Sequence, residues 1–350
     1  MKFILKSLRK NNLTFQGGLF LFGAIVGVGV FTLPFIVYQS GLIKGMIVLV
    51  LVGLISWLLN LAYAQLILAS GENCQLASYG RKYWGRAGGL VGSLTILINI
   101  NGTLLVYLIG TGDFLYFLFP WLTSFFWGLI FFIIAFWIMV FGLKSIARVN
   151  TIVVWLLILL LVSFFFWGAI RISPNNFAIS PGNNLIQLFS VFFFSYAGAA
   201  VIPELGEILK FERKPVFRAI TVGSLLPGIL YGLFIVVGLG LLGGGVSEEF
   251  IFGLSNISLV WARIMAALAI LAIISSFFAF GFTLKEFWHQ DLGFSQSISL
   301  IFTFLPSLLF YLFGSRDFLG VIIFTGGVSC LLMILVILSC WLKEKKWSRS

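Results

Sequence analysis

The sequence predicts an all-α polytopic membrane protein with about ten transmembrane helices, and three observations support this fold class. Of its 350 residues, 61% are hydrophobic and 9% are charged, a balance that a water-soluble domain could neither bury nor expose without aggregating. Apolar stretches of about twenty residues follow one another from Thr14 to Trp341 with short polar interruptions. Runs such as Trp155 to Phe166 do not alternate polar and apolar side chains, as a membrane β-barrel would require.

Apolar runs between charged or turn-forming residues define the predicted spans and leave no room for a separate soluble domain. The ten spans are 14–38, 42–70, 87–112, 121–142, 149–171, 185–209, 217–242, 257–284, 295–313 and 317–341. A tail of residues 1–13 precedes this single transmembrane domain, 14–341, and a basic tail of residues 342–350 follows it. The basic start is not followed by a small-residue cleavage site, so we predict a retained first helix rather than a signal peptide.

The basic residues are distributed unevenly between alternate loops. If the N-terminus is cytoplasmic, 18 of the 22 Lys and Arg residues lie on the cytoplasmic side. The positive-inside rule therefore places both termini in the cytoplasm and the protein in the cytoplasmic (inner) cell membrane. This topology accounts for most of the net charge of +11, with attraction to anionic lipids as a side effect. Nucleic acid is not predicted as a partner.

The spans form two groups of five, residues 14–171 and residues 185–341. Because five is an odd number, the second group would enter the membrane upside down relative to the first. Such inverted repeats are related by a pseudo-two-fold axis, and their binding site lies near the bilayer midplane between the two repeats.

The first span of each group carries a corresponding interruption. Span 1 contains GAIVGVGVFTLP at 23–34, and span 6 contains FSYAGAAVIPE at 194–204. Glycine and proline both weaken the helical hydrogen-bond ladder. Glycines in membrane helices also serve close packing, but breaks at equivalent places favour a functional interpretation. Unwound backbone at membrane depth must line a cavity or be buried in protein, so a polar cavity is predicted between the two breaks.

The segments GAIVGVGVFTLPF at 23–35 and FFFSYAGAAVIPELGEIL at 192–209, with RAI at 218–220, resemble the amino acid/auxin permease group of the amino acid-polyamine-organocation superfamily. The sequence is similar to bacterial aromatic amino-acid permeases. The resemblance implies a leucine-transporter-type 5+5 inverted repeat with broken helices 1 and 6, alternating access, and substrate recognition by backbone in the breaks. Many relatives carry an eleventh helix, whereas this sequence ends after the tenth span.

The broken ends offer unpaired N–H and C=O groups whose partial charges suit a zwitterion. We expect the N–H groups of 27–30 to bind the substrate carboxylate, and carbonyls around 24, 195 and 196 to bind the ammonium group. The predicted substrate-binding residues are Ala24, Gly27, Val28, Gly29, Val30, Ser195, Tyr196, Ala197, Gly198 and Phe280. Charged residues are lacking at mid-depth in the spans, which favours neutral amino acids, including aromatic or branched ones.

Two kinds of coupling ion are compatible with the sequence. Ser275 and Ser276 lie in the middle of span 8, where the resemblance implies that hydroxyl groups join span 1 carbonyls around a sodium ion; serines also bond their own preceding turn. Some proton-coupled relatives use a lysine in span 5, which this chain lacks, so sodium is favoured. Glu204 is the alternative candidate, because a semi-buried carboxyl group there could carry a coupling proton or pair with a basic residue at the inner gate.

The predicted function is therefore secondary active transport of neutral amino acids, with the lipid bilayer as the other partner and no obligate protein partner. A channel or a non-transporting sensor would share the hydropathy without needing matched breaks. A membrane enzyme would need clustered catalytic groups, whereas the chain has one histidine, His289. No catalytic residue, organic cofactor or metal other than sodium is predicted. The three cysteines show no paired spacing typical of a disulfide or metal site.

Overall fold

The structure is a computed structural model that describes residues 2–71, 74–141, 146–177, 182, 184–314 and 316–347. Within these ranges every regular element is helical. The α-helices are α1 (Lys2–Ile25), α2 (Leu33–Ser40), α3 (Leu42–Ser70), α4 (Leu76–Leu118), α5 (Ser124–Phe141), α6 (Ile146–Ala169), α7 (Leu185–Ser195), α8 (Ile202–Ile208), α9 (Arg213–Leu242), α10 (Phe250–Ser255), α11 (Leu259–Glu286), α12 (Gln296–Phe313) and α13 (Phe318–Trp347). Short 3-10 turns, including Val28–Thr32 and Ala199–Val201, and one π-helical turn, Phe287–Asp291, connect some of them.

Nine segments of the described chain are each long and apolar enough to cross a bilayer. A further candidate is the pair Leu13–Ile25 and Val28–Ser40, whose axes are bent by 49° at a short break. The predicted count of ten is reached when this bent pair is counted as one span. Large apolar side chains such as Ile43, Phe166 and Ile186 are exposed on the outer surface, as expected where helices face lipid.

Helix α4 begins well before the predicted start of span 3. Its first turns, from Leu76, are followed by Gly85, whose φ of 64° and ψ of −151° are not helical, and a longer apolar stretch continues to Leu118. Charged side chains such as Arg81 and Arg86 alternate with apolar ones here, so hydropathy alone cannot identify this segment as helical. Similarly, α1 and α13 extend into the two predicted tails.

Contacts between chain ends and loops define two faces of the helix bundle. On the face that holds the end of α13, which we call the terminal face, the Tyr83 hydroxyl donates to the Glu344 carboxyl group. On the opposite face, which we call the distal face, Gly182 N–H donates to the Gln39 carbonyl at 3.1 Å.

The packing partners of the helices are related by exchange of the two halves of the chain. Helix α1 packs on α9, and α7 packs on α3. In the same way, the contact between α1 and α6 in the first half corresponds to the contact between α7 and α13 in the second half. The contact between α4 and α5 corresponds to the contact between α11 and α12. A pseudo-two-fold axis between two repeats predicts this pattern, in which each helix contact has an equivalent contact with the two halves exchanged.

Candidate functional site: two broken helices around a closed cavity

The first break lies at the residues that the sequence indicates. Helix α1 ends at Ile25, and Gly27 adopts an extended conformation with φ −109° and ψ −156°. The Gly27 N–H donates to the Ile25 carbonyl at 2.9 Å, so it does not continue the helical pairing with the Gly23 carbonyl. The 3-10 turn Val28–Thr32 follows, and the chain resumes as α2 toward the distal face. The Gly23 carbonyl, which would accept from Gly27 in a continuous helix, is therefore available for other partners.

The second break separates α7 from α8. Helix α7 ends at Ser195, and the Gly198 N–H donates to the Tyr196 carbonyl at 2.7 Å. A 3-10 turn, Ala199–Val201, precedes α8. Proline at the second position of α8, Pro203, needs no backbone partner there because the first N–H groups of a helix are unpaired in any case. Both predicted breaks are thus present.

The two breaks lie against each other, and glycine makes this approach possible. A Cβ atom on Gly29 would lie 2.7 Å from the Ser195 hydroxyl oxygen. A Cβ atom on Gly198 would lie 2.6 Å from a side-chain carbon of Ile25. Both distances are shorter than van der Waals contact, so a larger residue at either position would push the breaks apart.

A small cavity lies where the breaks meet. Its volume is about 10 Å³, which is room for about one water molecule. It is lined by Ala24, Ile25, Gly27, Gly29, Thr103, Tyr107, Phe194, Ser195, Ala197 and Phe280. No lining residue is an acid, a lysine, an arginine or a histidine, and all but Ala197 are buried. A ligand larger than water therefore needs the walls to separate before it can enter, since ligand pockets usually enclose several hundred Å³.

The structure brings together six of the predicted substrate-binding residues, which line this cavity: Ala24, Gly27, Gly29, Ser195, Ala197 and Phe280. Val28 and Val30 are fully buried beside the first break but do not line the cavity. A role for their backbone N–H groups stays a prediction.

Tyr196 and Gly198 lie on the other side of the second break. The Tyr196 hydroxyl is directed toward α3 and α9, because a Cβ atom built on Gly53 would lie 2.9 Å from it and one on Gly228 2.6 Å from it. Both residues line a second small space, of about 20 Å³, together with Asn60. The Tyr196 side chain is therefore not placed to contact a substrate in the first cavity.

Sequence reasoning missed the tyrosine that connects the two breaks. The hydroxyl group of Tyr231, on α9, lies 3.0 Å from the Ile25 carbonyl and 2.8 Å from the Ser195 carbonyl. It has one proton to donate, so the two carbonyls compete for it or share it. Tyrosine in the middle of an apolar span was the available signal, since its hydroxyl needs a partner there. Tyr107 and Phe194 were missed as well.

Ser276 lies beside the carbonyl that the first break frees. Its hydroxyl group donates to the Gly23 carbonyl at 3.1 Å, and the Tyr107 hydroxyl is a second partner. Ser275 is also buried. The predicted meeting of an α11 hydroxyl with a carbonyl of the first span is present for Ser276. These neutral oxygen atoms are of the type that coordinates sodium at broken helices.

Glu204 is buried at the start of α8, and its partners are neutral. Its Oε1 atom accepts hydrogen bonds of 2.9 Å from both the Gln75 amide and the Thr283 hydroxyl. Among the described residues, its Oε2 atom and the nearby Tyr63 hydroxyl have no hydrogen-bond partner. The expected pairing with a basic residue is not found in the described chain, which leaves the carboxyl group without a counter-charge.

Two broken helices that meet at an uncharged cavity within a membrane bundle are the architecture of a secondary transporter. Residues 10–349 match the tryptophan/tyrosine permease family, and the chain belongs to this family. The members of this family are permeases, which are transport proteins and not enzymes. The expected similarity to a permease family is confirmed, but the family is not the amino acid/auxin permease group.

Solved structures show the same fold. The chain is similar to Mhp1, a nucleobase-cation-symport-1 family transporter, in a closed conformation with bromovinylhydantoin bound: the TM-score is 0.64 at 16% identity, covering 88% of this chain and 74% of Mhp1. The inward-facing conformation of Mhp1 gives a TM-score of 0.65, also at 16% identity, covering 93% and 75%. These likenesses describe the fold alone.

A curated relative is an uncharacterized protein of Methanocaldococcus jannaschii. It is 27% identical over 227 residues, which are 57% of this chain and 51% of the relative. The matched region thus spans about half the length of that protein.

Proposed function

We propose that this protein is a secondary active transporter that carries neutral amino acids, including aromatic or branched ones, across the cytoplasmic membrane by alternating access. The observation that carries the proposal is the contact of the two breaks at a cavity without charged side chains. The name of the tryptophan/tyrosine permease family supports an aromatic amino acid as the substrate.

The chemistry of the cavity suits a zwitterion with an apolar side chain. Backbone N–H groups near Gly27 would bind the carboxylate, and the Ser195 carbonyl would bind the ammonium group. Tyr107 and Phe280, whose ring centroids are 6.4 Å apart, would contact the substrate side chain. A permanently charged side chain would find no opposite charge among the lining residues, at a high cost in free energy at membrane depth.

We further propose that the protein is a 5+5 inverted repeat with both termini in the cytoplasm. The exchange of packing partners between the halves supports the repeat. The concentration of basic residues in alternate loops supports the orientation, in which the terminal face is cytoplasmic and the distal face is external.

The proposal is tested with purified protein in liposomes. We expect labelled neutral amino acids to accumulate when a sodium or a pH gradient is applied, whereas lysine and glutamate do not. External unlabelled substrate should also accelerate exchange with internal substrate, which a channel would not show. Absence of gradient-driven uptake across a broad panel of amino acids would reject the transport function.

Coupling to sodium is tested at Ser276. If its hydroxyl and the Gly23 carbonyl bind a sodium ion, Ser276→Ala should raise the sodium concentration needed for half-maximal uptake about tenfold, a loss of about 1.4 kcal/mol of binding free energy. Ser163→Ala is the matched control, because the Ser163 hydroxyl donates to its own helix at 2.8 Å on the exposed side of α6. Unchanged sodium dependence of Ser276→Ala would reject this cation site.

Coupling to protons is tested at Glu204. Glutamine can keep the hydrogen bonds to Gln75 and Thr283 but cannot release a proton. If Glu204 carries the coupling proton, Glu204→Gln should lose uptake driven by a pH gradient while keeping exchange of internal for external substrate. Glu207→Gln is the control, since Glu207 is exposed on the same helix. Full proton-driven uptake by Glu204→Gln would assign coupling elsewhere.

A further inference from the structure

A short helix closes the distal side of the first break. Helix α10 packs on the turn Val28–Thr32 and on α11, and its residues Phe250, Ile251 and Leu254 are fully buried. The Phe250 ring lies 4.9 Å from that of Phe234 on α9. Helix α10 therefore lies over the distal side of the cavity and not at the edge of the bundle.

Beneath α10, aromatic rings fill the route from the distal face to the cavity. Phe31, which follows the first break, packs against Phe234 at 5.8 Å and against Phe114 at 6.0 Å between ring centroids. Together with Phe250, these rings form what we call the aromatic plug. A substrate that enters from the distal face must displace it.

A pair of carboxyl groups connects α10 to α4 next to this plug. Glu249 precedes Phe250, and Asp113 precedes Phe114. The two carboxyl groups lie within hydrogen-bonding reach of each other. Since a carboxylate oxygen can only accept, such a bond requires one proton in the pair. The connection therefore exists only while that proton is bound.

The surrounding groups place the proton on Glu249. Burial disfavours a negative charge on either carboxyl group, but Asp113 also lies near the Ser124 hydroxyl and the Arg316 guanidinium, which offset part of that cost. Glu249 is 9% exposed, and its Oε2 atom has no hydrogen-bond partner among the described residues, a costly environment for a charged carboxylate. Burial, followed by the negative charges of Asp113 and the neighbouring Glu248, raises the pKa of Glu249.

The other titratable group near the pair is on α12. The Tyr311 hydroxyl is close enough to Asp113 and Arg316 to feel both charges, and it donates toward the Ser124 carbonyl at 3.2 Å. Arg316 is held over the Phe125 ring, 4.8 Å from its centroid. The positive charge of Arg316 thus acts on Asp113, whereas the charged groups that act on Glu249 are the negative Asp113 and Glu248.

We propose that Asp113 and Glu249 form a proton-held latch that keeps α10 closed over the aromatic plug, and that loss of the proton opens the distal entrance. The proposal rests on the transport function, because α10 closes an entrance only if the cavity opens to the distal face. The sign follows from the raised pKa: closure is complete below the ordinary carboxyl pKa that Glu249 has in the open state. It is lost progressively as pH rises from there through the raised pKa of the closed state, because two buried like charges repel.

The latch is tested by hydrogen exchange of the full chain in lipid nanodiscs, without substrate, read by mass spectrometry on peptides from residues 246–258. After correction for the intrinsic pH dependence of exchange, protection of α10 should fall by up to about tenfold for each pH unit between the ordinary carboxyl pKa and the raised pKa of Glu249, and should level off above the raised value. Protection that stays constant from about pH 4 to about pH 10, the range that spans ordinary and raised carboxyl pKa values, would overturn the proposal.

Two variants sharpen the result. Glu249→Gln should keep α10 protected at every pH, because the amide donates to Asp113 without a titrating proton. Glu207→Gln, which removes an exposed carboxyl group on α8, should follow the wild-type protein. A Glu249→Gln variant with wild-type pH dependence would assign the opening to another group. The exchange experiment contains no substrate. If α10 shows the expected pH dependence but the protein takes up no amino acid in liposomes, the transport function is rejected and the latch is retained.

Discussion

Gly27→Leu is expected to abolish amino-acid uptake while the protein still inserts into the membrane. A Cβ atom on Gly27 would lie 2.9 Å from the Tyr107 hydroxyl oxygen, and the rest of a leucine side chain would occupy a cavity of about 10 Å³. Overpacking of this kind costs about 1–3 kcal/mol even without a ligand, and here it also fills the space that the substrate needs. Uptake should therefore fall to the level of liposomes without protein.

Gly18→Leu is the matched control for this prediction. Gly18 is on the same helix, but a Cβ atom there would meet α9 no closer than 3.7 Å, and it borders a groove of about 510 Å³ that can hold a larger side chain. Size-exclusion chromatography of both variants reports whether they fold. If Gly27→Leu folds and transports normally, the substrate does not bind at the first break.

Much of the helix arrangement is predictable from the sequence, because hydropathy and helix-breaking residues are local signals. The run from Leu42 to Ser70 is one uninterrupted helix as predicted, and the two breaks lie where glycine and proline coincide. The early start of α4 was missed, because Arg81 and Arg86 lower the hydropathy of an amphipathic segment. Helix α10 is too short for periodicity to indicate it.

The candidate site is less predictable, because it depends on side chains that reach the breaks from other helices. Backbone positions such as Gly27 and Ser195 follow from the motifs themselves. The contribution of Tyr231 from α9 depends on how two helices cross, and no spacing in the sequence reports that. The side-chain direction of Tyr196 has the same origin: the motif identifies the residue but not which side of α7 its ring occupies.

Tyr231→Phe is expected to cause the second large loss of transport, with the maximal rate of uptake falling at least about tenfold. The substitution keeps the ring, which lies 5.3 Å from that of Tyr196, and removes only the hydroxyl that the Ile25 and Ser195 carbonyls share. A buried carbonyl left without a donor costs about 1–3 kcal/mol. That cost falls on the state in which the breaks are in contact.

The loss should appear in the return of the empty protein more than in substrate binding. When substrate is present, its ammonium group can satisfy the Ser195 carbonyl in place of the lost hydroxyl, so exchange of internal for external substrate should be reduced less than net uptake. Tyr116→Phe is the control, because Tyr116 is 47% exposed near the distal end of α4. Equal losses of exchange and net uptake would mean that Tyr231 acts on the substrate itself, and an unchanged rate of uptake would mean that its hydroxyl does not control the contact between the breaks.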